Sequence, residues 1–230
     1  MPRTKRKTLG GYYYHVINRS NGRLRIFKKR DDFLAFEKIL GEAQERIAMR
    51  IFGYCIMSNH WHLLLRPYED GDLSAFMQWL TVTHTMRHHY SHGTAGTGHL
   101  YQGRFKSFPV QADYHLIKVL KYIEANPLAA EIVDNAGDYP WSSYDYHVGN
   151  KREDRPFELT DLPEMSSPRR WAKIVHSDMP QADIDAINQS LKRGTPLGDE
   201  EWKKATAKAL DLQSTINKRG RPRNESKKET

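Results

Sequence analysis

The sequence predicts an α+β fold, in which an antiparallel sheet of about four to five strands packs against helices on one face and leaves its other face open to a ligand. Two observations predict this class. Between residues 11 and 127, strand and helix patterns follow one another in the order β-α-β-β-α-β-α. The two consecutive strand patterns are joined by a short polar turn at Ser58 and Asn59, which predicts an antiparallel hairpin.

Alternation and capping define the elements of the first half. Residues 12–20 (YYYHVINRS) alternate aromatic and polar side chains, as a half-buried strand does. Asp31 and Asp32 can then cap a helix that runs to about Met49 with its apolar residues on one face. The hairpin strands follow as MRIFGYCIMSN and HWHLLLRP, in residues 49–67.

The second half continues with a helix, a strand and a helix. Asp72 can cap a helix with the apolar stripe Phe76, Leu80 and Met86, which ends in the small-residue segment HGTAGTG. The segment HLYQGRFKSFPV is typical of a strand. The segment DYHLIKVLKYIEAN is typical of a helix, which Pro127 must end within about a residue.

The composition changes on both sides of this pattern. Residues 1–10 form a basic arm ahead of a main domain that we place at 11–150. Residues 151–215 are interpreted as a Pro- and charge-rich linker and a small C-terminal helical appendage, with helices in ADIDAINQSLKR and GDEEWKKATAKALDL. Residues 216–230 have no apolar anchor and are predicted to form a disordered basic tail.

The charge of the chain indicates the class of its partner. Lys and Arg outnumber Asp and Glu by 36 to 28, which gives a formal net charge of +8 and predicts a polyanionic partner, first of all nucleic acid. The single cysteine, Cys55, cannot form an intramolecular disulfide. No stretch approaches the roughly 20 apolar residues of a membrane span. We therefore expect a soluble cytoplasmic protein with no membrane partner.

Two histidines interrupt the second hairpin strand. Because side chains alternate along a strand, His60 and His62 share one face while Trp61, Leu63 and Leu65 share the other. Two neutral imidazoles at this spacing can ligate one metal ion. The same pattern also fits the solvated face of an edge strand, so the spacing alone leaves both readings open.

The last predicted helix of the main domain offers further groups. Tyr122 and Asn126 lie four residues apart, and Tyr114 and Lys118 share roughly the same face. A tyrosine hydroxyl and an amide oxygen on one helical face can approach the same ion. This helix is therefore the candidate source of a reacting group and a further ligand.

Three motifs carry a family resemblance. The His-Trp-His motif at 60–62, GHLYQGRFKS at 98–107 and YIEANPLAA at 122–130 together resemble the single-tyrosine HUH transposases, and more narrowly the REP-associated tyrosine transposases, over residues 11–147. The resemblance implies an HUH catalytic domain with a ferredoxin-like, RRM-like sheet at 11–150. It also implies cleavage and rejoining of single-stranded or hairpin DNA, in particular repetitive extragenic palindromes, through a 5′-phosphotyrosine intermediate.

The resemblance also assigns roles by position. It makes His60 and His62 the ligands of Mg²⁺ or Mn²⁺, Asn126 the third ligand and Tyr122 the nucleophile. Tyr114 is the rival nucleophile. Tyr122 is preferred because its one-turn spacing to Asn126 lets nucleophile and ligand converge. A monomer is favoured, and a dimer is the alternative.

Basic residues around these motifs are candidates for DNA contact, although a solvated surface is the alternative for any charge run. Arg104 and Lys106 are expected on one face of a strand, and Lys118 and Lys121 on the tyrosine helix. A cluster after the first strand and an AT-hook-like tail add Arg19, Arg23, Arg25, Lys28, Lys29, Arg219, Arg221 and Arg223. The competing function is a non-catalytic regulator that binds specific DNA sequences or hairpins on the same fold. With either function we expect the cytoplasmic protein to be associated with the nucleoid.

Overall fold

A four-stranded sheet organises the part of the chain that the computed structural model describes, which is residues 7–150, 152–163, 165 and 167–217. All strand pairs are antiparallel, in the order β2-β3-β1-β4. The strands are β1 (Tyr13–Arg19), β2 (Met49–Met57), β3 (His60–Pro67) and β4 (Lys106–Val110). The predicted α+β class, with its antiparallel sheet and its hairpin, is confirmed.

Strand β3 is buried on both faces. It lies between β2 and β1, so it is an inner strand. Trp61, Leu63 and Leu65 are fully buried on one face, and His62 and Leu64 are buried on the other. The alternative reading of the histidine pair, a solvated face of an edge strand, is therefore excluded.

Helices α1 (Arg30–Arg46) and α2 (Asp72–His92) cover the face of the sheet that carries Trp61. Phe36 of α1 packs with its ring centroid 5.6 Å from that of Trp61. Met86 of α2, which the sequence places in the apolar stripe, is 67% exposed and does not join this core. The predicted packing of helices against one face of the sheet is found for α1 and α2.

Aspartate side chains accept backbone N–H groups at the start of several helices. Asp32 accepts two of them ahead of α1, and Asp113 accepts the N–H of His115 in the first turn of α3 (Tyr114–Glu124). These bonds satisfy donors that the first turn of a helix leaves without an intrahelical partner.

Helix α3 packs against the opposite face, which the sequence reading left open. Leu120 of α3 lies against Gly53 of β2, where an added Cβ would overlap a Leu120 methyl group. Gly53 pairs with Leu64 of β3, so this contact lies on the face that carries the histidines. The expectation of an open face is corrected, because the missing side chain at Gly53 lets α3 approach the sheet closely.

Strand β4 is shorter than predicted. It begins at Lys106, and the preceding residues form a loop that stays close to the end of β1. In this loop the Gln102 N–H donates to the Arg19 carbonyl, and the buried Tyr101 hydroxyl accepts from the Trp61 indole at 3.0 Å. Because Tyr101 is anchored in the core, Arg104 lies in the loop and does not share a strand face with Lys106.

The C-terminal helices pack onto α3 and β4. Trp171 is fully buried and donates from Nε1 to Glu124 of α3 at 2.8 Å, and Asp183 forms an ion pair with Lys118 of α3 at 2.6 Å. The remaining helices are α4 (Asn126–Ala129), α5 (Tyr144–His147), α6 (Pro168–His176), α7 (Gln181–Arg193), α8 (Glu200–Ala209) and α9 (Gln213–Ile216). Helix α6 begins inside the predicted linker. No helix in the described residues is long and apolar enough to span a membrane.

Candidate active site

The histidine pair lies on the face of β3 that α3 covers. The ring centroids of His60 and His62 are 5.0 Å apart, with His62 buried and His60 half-buried. Nδ1 of His60 lies 2.7 Å from Oδ1 of Asn59, which can only accept, so Nδ1 carries the proton and Nε2 the lone pair. Both predicted ligands therefore share one face, with a free imidazole lone pair on His60.

A third histidine, which the sequence reasoning missed, supports the pair from β1. Nε2 of His15 lies 2.8 Å from Nδ1 of His62, and the two rings are nearly parallel with centroids 5.0 Å apart. His15 is fully buried, and its Nδ1 has no hydrogen-bond partner among the described residues. The alternation along β1, which puts His15 and Arg19 on the same face, was the available signal.

Burial keeps these imidazoles neutral. It lowers the pKa of His15 to about 3 and that of His60 to about 4, and the Arg19 charge adds to the effect on His60. Burial also holds the pKa of His62 well below its usual range, with smaller contributions from His15 and His60. At neutral pH each ring therefore keeps a nitrogen lone pair, which metal coordination requires.

Tyr122 of α3 faces the histidines. Its ring is edge-on to those of His62 and His15, with centroid distances of 5.7 Å and 6.1 Å. Burial raises the pKa of the Tyr122 hydroxyl, and the positive charge of Arg19 opposes this effect. Arg19 is the last residue of β1, aligned with His60 on β3, and not part of the following loop as predicted. The resting side chain is thus a neutral phenol beside a cation that favours its phenolate.

Asn126 connects the tyrosine to the histidine pair. Its Nδ2 donates to the backbone carbonyl of Tyr122 at 3.0 Å, and its side chain lies near enough to His60 to oppose slightly the lowering of the pKa of that imidazole. Helix α3 ends at Glu124, yet Asn126 remains one turn from Tyr122, as its spacing predicts. Tyr114 is elsewhere: it is 59% exposed, with the Lys118 ammonium 4.7 Å from its ring centroid.

Apart from Arg104 in the loop before β4 and Lys106 in β4, the other predicted DNA-binding residues fall into three groups. Lys121 donates to Ser177 Oγ and to the Asp178 carbonyl, so it and Lys118 are engaged by the C-terminal region and do not face the histidines. An exposed basic stretch follows β1 and comprises Arg23, Arg25, Lys28 and Lys29. The predicted tail residues lie outside the described residues: Arg219, Arg221 and Arg223.

A comparison of folds finds a solved structure with the same architecture. The solved structure described as a REP-associated tyrosine transposase bound to a REP hairpin matches with a TM-score of 0.53. The match covers 73% of this chain and 96% of that chain at 18% sequence identity, so it concerns the fold alone. The fold is that of a tyrosine transposase.

The family follows from the sequence itself. The family model described as "Transposase IS200 like" matches residues 8–126, which is more than half of the chain. The chain belongs to the IS200-like transposase family. A search of curated proteins found no match. The protein is thus a DNA transposase by family, and its matched segment ends at Asn126, four residues after the candidate nucleophile.

Proposed function

We propose that this transposase cleaves and rejoins single-stranded or hairpin DNA, with Tyr122 as the nucleophile and a divalent metal ion, Mg²⁺ or Mn²⁺, held by His60, His62 and Asn126. The observation that carries the proposal is the convergence of these side chains. Tyr122 lies edge-on to His62, and Asn126 bonds to the Tyr122 backbone and lies near His60. Nucleophile and ligands thus meet although they come from segments about sixty residues apart.

The donor atoms fit a divalent cation. The two imidazoles are neutral because they are buried, and an amide oxygen is a ligand that Mg²⁺ and Mn²⁺ accept. Among the described residues no group of three or more His, Cys, Asp or Glu side chains could hold a metal ion, so the proposed set depends on the asparagine. When bound, the ion supplies positive charge that offsets the charge developing on the scissile phosphate.

The chain's own residues perform the bond exchange. The Tyr122 hydroxyl loses its proton to solvent and its oxygen attacks phosphorus, forming the O–P bond while the bond from phosphorus to the 3′-oxygen breaks. The 3′-oxygen takes up a proton and leaves as a hydroxyl. Arg19 stabilises the phenolate by its charge. The 5′-phosphotyrosine keeps the energy of the ester, so another 3′-hydroxyl can reverse the reaction without a nucleotide cofactor.

The substrate proposal rests on charge and on the structural relative. That relative is described as bound to a REP hairpin, and we propose a similar palindromic hairpin as the substrate of this chain. The exposed basic residues after β1 and the basic tail supply phosphate contacts. Because the tyrosine helix is bonded to Trp171 and Asp183 of its own chain, we also propose a monomer. A nucleoid-associated location in the cytoplasm follows from this substrate.

A denaturing gel tests the proposed function. Purified protein is incubated with end-labelled hairpins that carry unpaired extensions, in Mn²⁺ or Mg²⁺, and we expect a labelled band at the combined mass of protein and DNA. A chelator should remove the band. If the protein shifts the hairpins on a native gel but forms no adduct over a panel of palindromes, it is a DNA-binding regulator and the catalytic proposal is wrong.

Replacing His15 is expected to weaken metal binding without direct loss of a ligand. The two nitrogens lie 2.8 Å apart, and when Nδ1–H of His62 donates to Nε2 of His15, Nε2 of His62 is left free for the metal, so His15 can support the tautomer that coordination needs. We expect His15→Phe to lower the affinity for Mn²⁺ by about 10- to 100-fold, as loss of such supporting bonds does. Electron paramagnetic resonance of free Mn²⁺ measures this directly.

His84→Phe is the matched control. His84 is also buried and also bonded through Nδ1, but to Tyr101, away from the site. We expect His84→Phe to leave Mn²⁺ affinity unchanged, and His15→Gln, whose amide oxygen can accept from His62, to retain part of it. Equal Mn²⁺ affinities for His15→Phe and the unmodified protein would show that His15 does not support metal binding.

A further inference from the structure

A cavity of about 400 Å³ opens beside the candidate active site, where β4 separates from β1. Its walls come from the end of β1, the loop before β4 and one side of α7. The lining residues are Ile17, Asn18, Arg19, Gln102, Gly103, Arg104, Lys106, Asn188, Leu191 and Lys192. The three from α7 follow one another at helical spacing and so belong to one helix face.

The chemistry of the cavity is that of a nucleotide site. Arg19, Arg104, Lys106 and Lys192 give it four positive charges, and none of the lining residues is acidic. Within the described part of the chain none of these four forms an ion pair, so their charge is available to a ligand. Cations around a partly apolar pocket can bind the phosphates of a nucleotide whose base is turned into the pocket.

The lining also offers surfaces for a base. Ile17 and Leu191 are apolar and can lie against the flat face of a base. The side-chain amides of Gln102 and Asn188 can both donate and accept hydrogen bonds, and the edge of a base presents both acceptors and donors. Asn18 is not available for this, because its side chain already bonds to the Arg19 N–H and the Gly103 carbonyl.

The cavity adjoins the candidate active site along β1. Arg19 and Ile17 line the cavity, and in the sheet they lie opposite His60 and His62 of β3. A DNA strand whose phosphate lies at Tyr122 therefore reaches the cavity with its neighbouring nucleotides. The matched family segment ends at residue 126, so the likeness to the family assigns nothing to α7.

The α7 wall is anchored in the absence of DNA. Asp183 at its start pairs with Lys118 of α3, and after its end the Leu197 N–H donates to the Pro109 carbonyl of β4. The Gln111 side chain adds a bond to Asp199. A wall held in this way needs no ordering when a ligand binds, which favours affinity.

We propose that this cavity binds about one or two unpaired nucleotides of the DNA strand next to the scissile phosphate, with Lys192 and Asn188 of α7 as specific contacts. The proposal rests on the proposed function, since it names part of the substrate of the same site. The basic tail is excluded as the occupant by its charge, because the residues from Lys218 onward hold six basic and two acidic side chains.

Binding of two hairpins by fluorescence anisotropy tests the proposal. One hairpin is blunt and the other carries a short unpaired extension, placed on either strand in turn. We expect tighter binding of one extended hairpin than of the blunt one. Lys192→Glu should weaken binding of that extended hairpin by about 10-fold and leave the blunt hairpin within about twofold. Lys208→Glu, an exposed change on α8 with the same charge, should affect both probes equally.

Two further measurements keep the outcome independent of folding. Asn188→Ala is a milder change on the same helix face, and we expect it to act on the extended hairpin alone. An extension of abasic nucleotides keeps the phosphates but lacks the bases. We expect it to lose most of the gain in affinity that the normal extension gives over the blunt hairpin. Equal loss on both probes with Lys192→Glu, or no gain from any extension, overturns this inference alone. Failure of the unmodified protein to bind either hairpin overturns the proposed function as well.

Discussion

Tyr122→Phe is expected to abolish the covalent protein–DNA adduct while leaving the affinity for the hairpin unchanged. The phenylalanine keeps the ring that packs edge-on to His62 and His15, so the site should retain its shape. It lacks the oxygen that attacks phosphorus, and no other hydroxyl takes its place. We expect adduct formation to fall by on the order of 10³-fold or more, measured from the same denaturing gel over time.

Tyr114→Phe is the matched control for this change. Tyr114 lies on the same helix, but it is 59% exposed and its ring contacts Lys118 and His115, not the histidine pair. Its replacement should leave the rate of adduct formation unchanged. An adduct that persists in Tyr122→Phe and disappears in Tyr114→Phe would transfer the role of nucleophile to Tyr114.

Glu124→Ala is expected to cost about 3 to 5 kcal/mol in the free energy of unfolding. The carboxylate is fully buried and holds Ser143 Oγ at 2.5 Å, His147 Nδ1 at 2.5 Å and Trp171 Nε1 at 2.8 Å. Alanine leaves His147 and Trp171 without these acceptors in the core and Ser143 with only a long bond to the Tyr54 carbonyl, and buried donors without partners are costly. Urea denaturation followed by circular dichroism measures the loss.

Glu45→Ala supplies the comparison on an exposed face. Glu45 lies near the end of α1 and is exposed, so its removal should change the free energy of unfolding by less than about 0.5 kcal/mol. Glu124→Gln keeps the shape but loses the charge that accepts these bonds, and we expect a loss between those of the two alanine variants. A loss below about 1 kcal/mol for Glu124→Ala would mean that the buried cluster contributes little to stability.

The part of the site that the sequence predicts depends on local periodicity. His60 and His62 share a face because strands alternate, and Tyr122 and Asn126 converge because they are one helical turn apart. The first relation holds within one strand, and the second joins residues only four apart across the short break between α3 and α4, so local sequence contains both. The hairpin is predictable for the same reason, since a short turn forces its two strands to pair.

The remainder depends on how elements are arranged in space. His15 and Arg19 join the site because β1 inserts beside β3, and no local pattern states the strand order β2-β3-β1-β4. From its position on the helix alone, Lys118 would be expected to be solvated, but it forms an ion pair with Asp183, 65 residues later. The loop before β4 departs from its strand pattern because Tyr101 is anchored by Trp61. Long-range contacts override local preference at these positions.

The contact between Gly53 and Leu120 has a consequence for reading related sequences. The histidines and the tyrosine belong to separate segments of the chain. Their spacing depends on the close packing of α3 against β2 at Gly53, which has no side chain. A methyl group at Gly53 would overlap the buried Leu120 side chain, and we expect the resulting shift of α3 to change the spacing of Tyr122 from His60 and His62 without replacing any of these three residues. Copies of such a gene can therefore be inactive with a complete set of catalytic residues, and an inventory of motifs is not sufficient to recognise an active transposase.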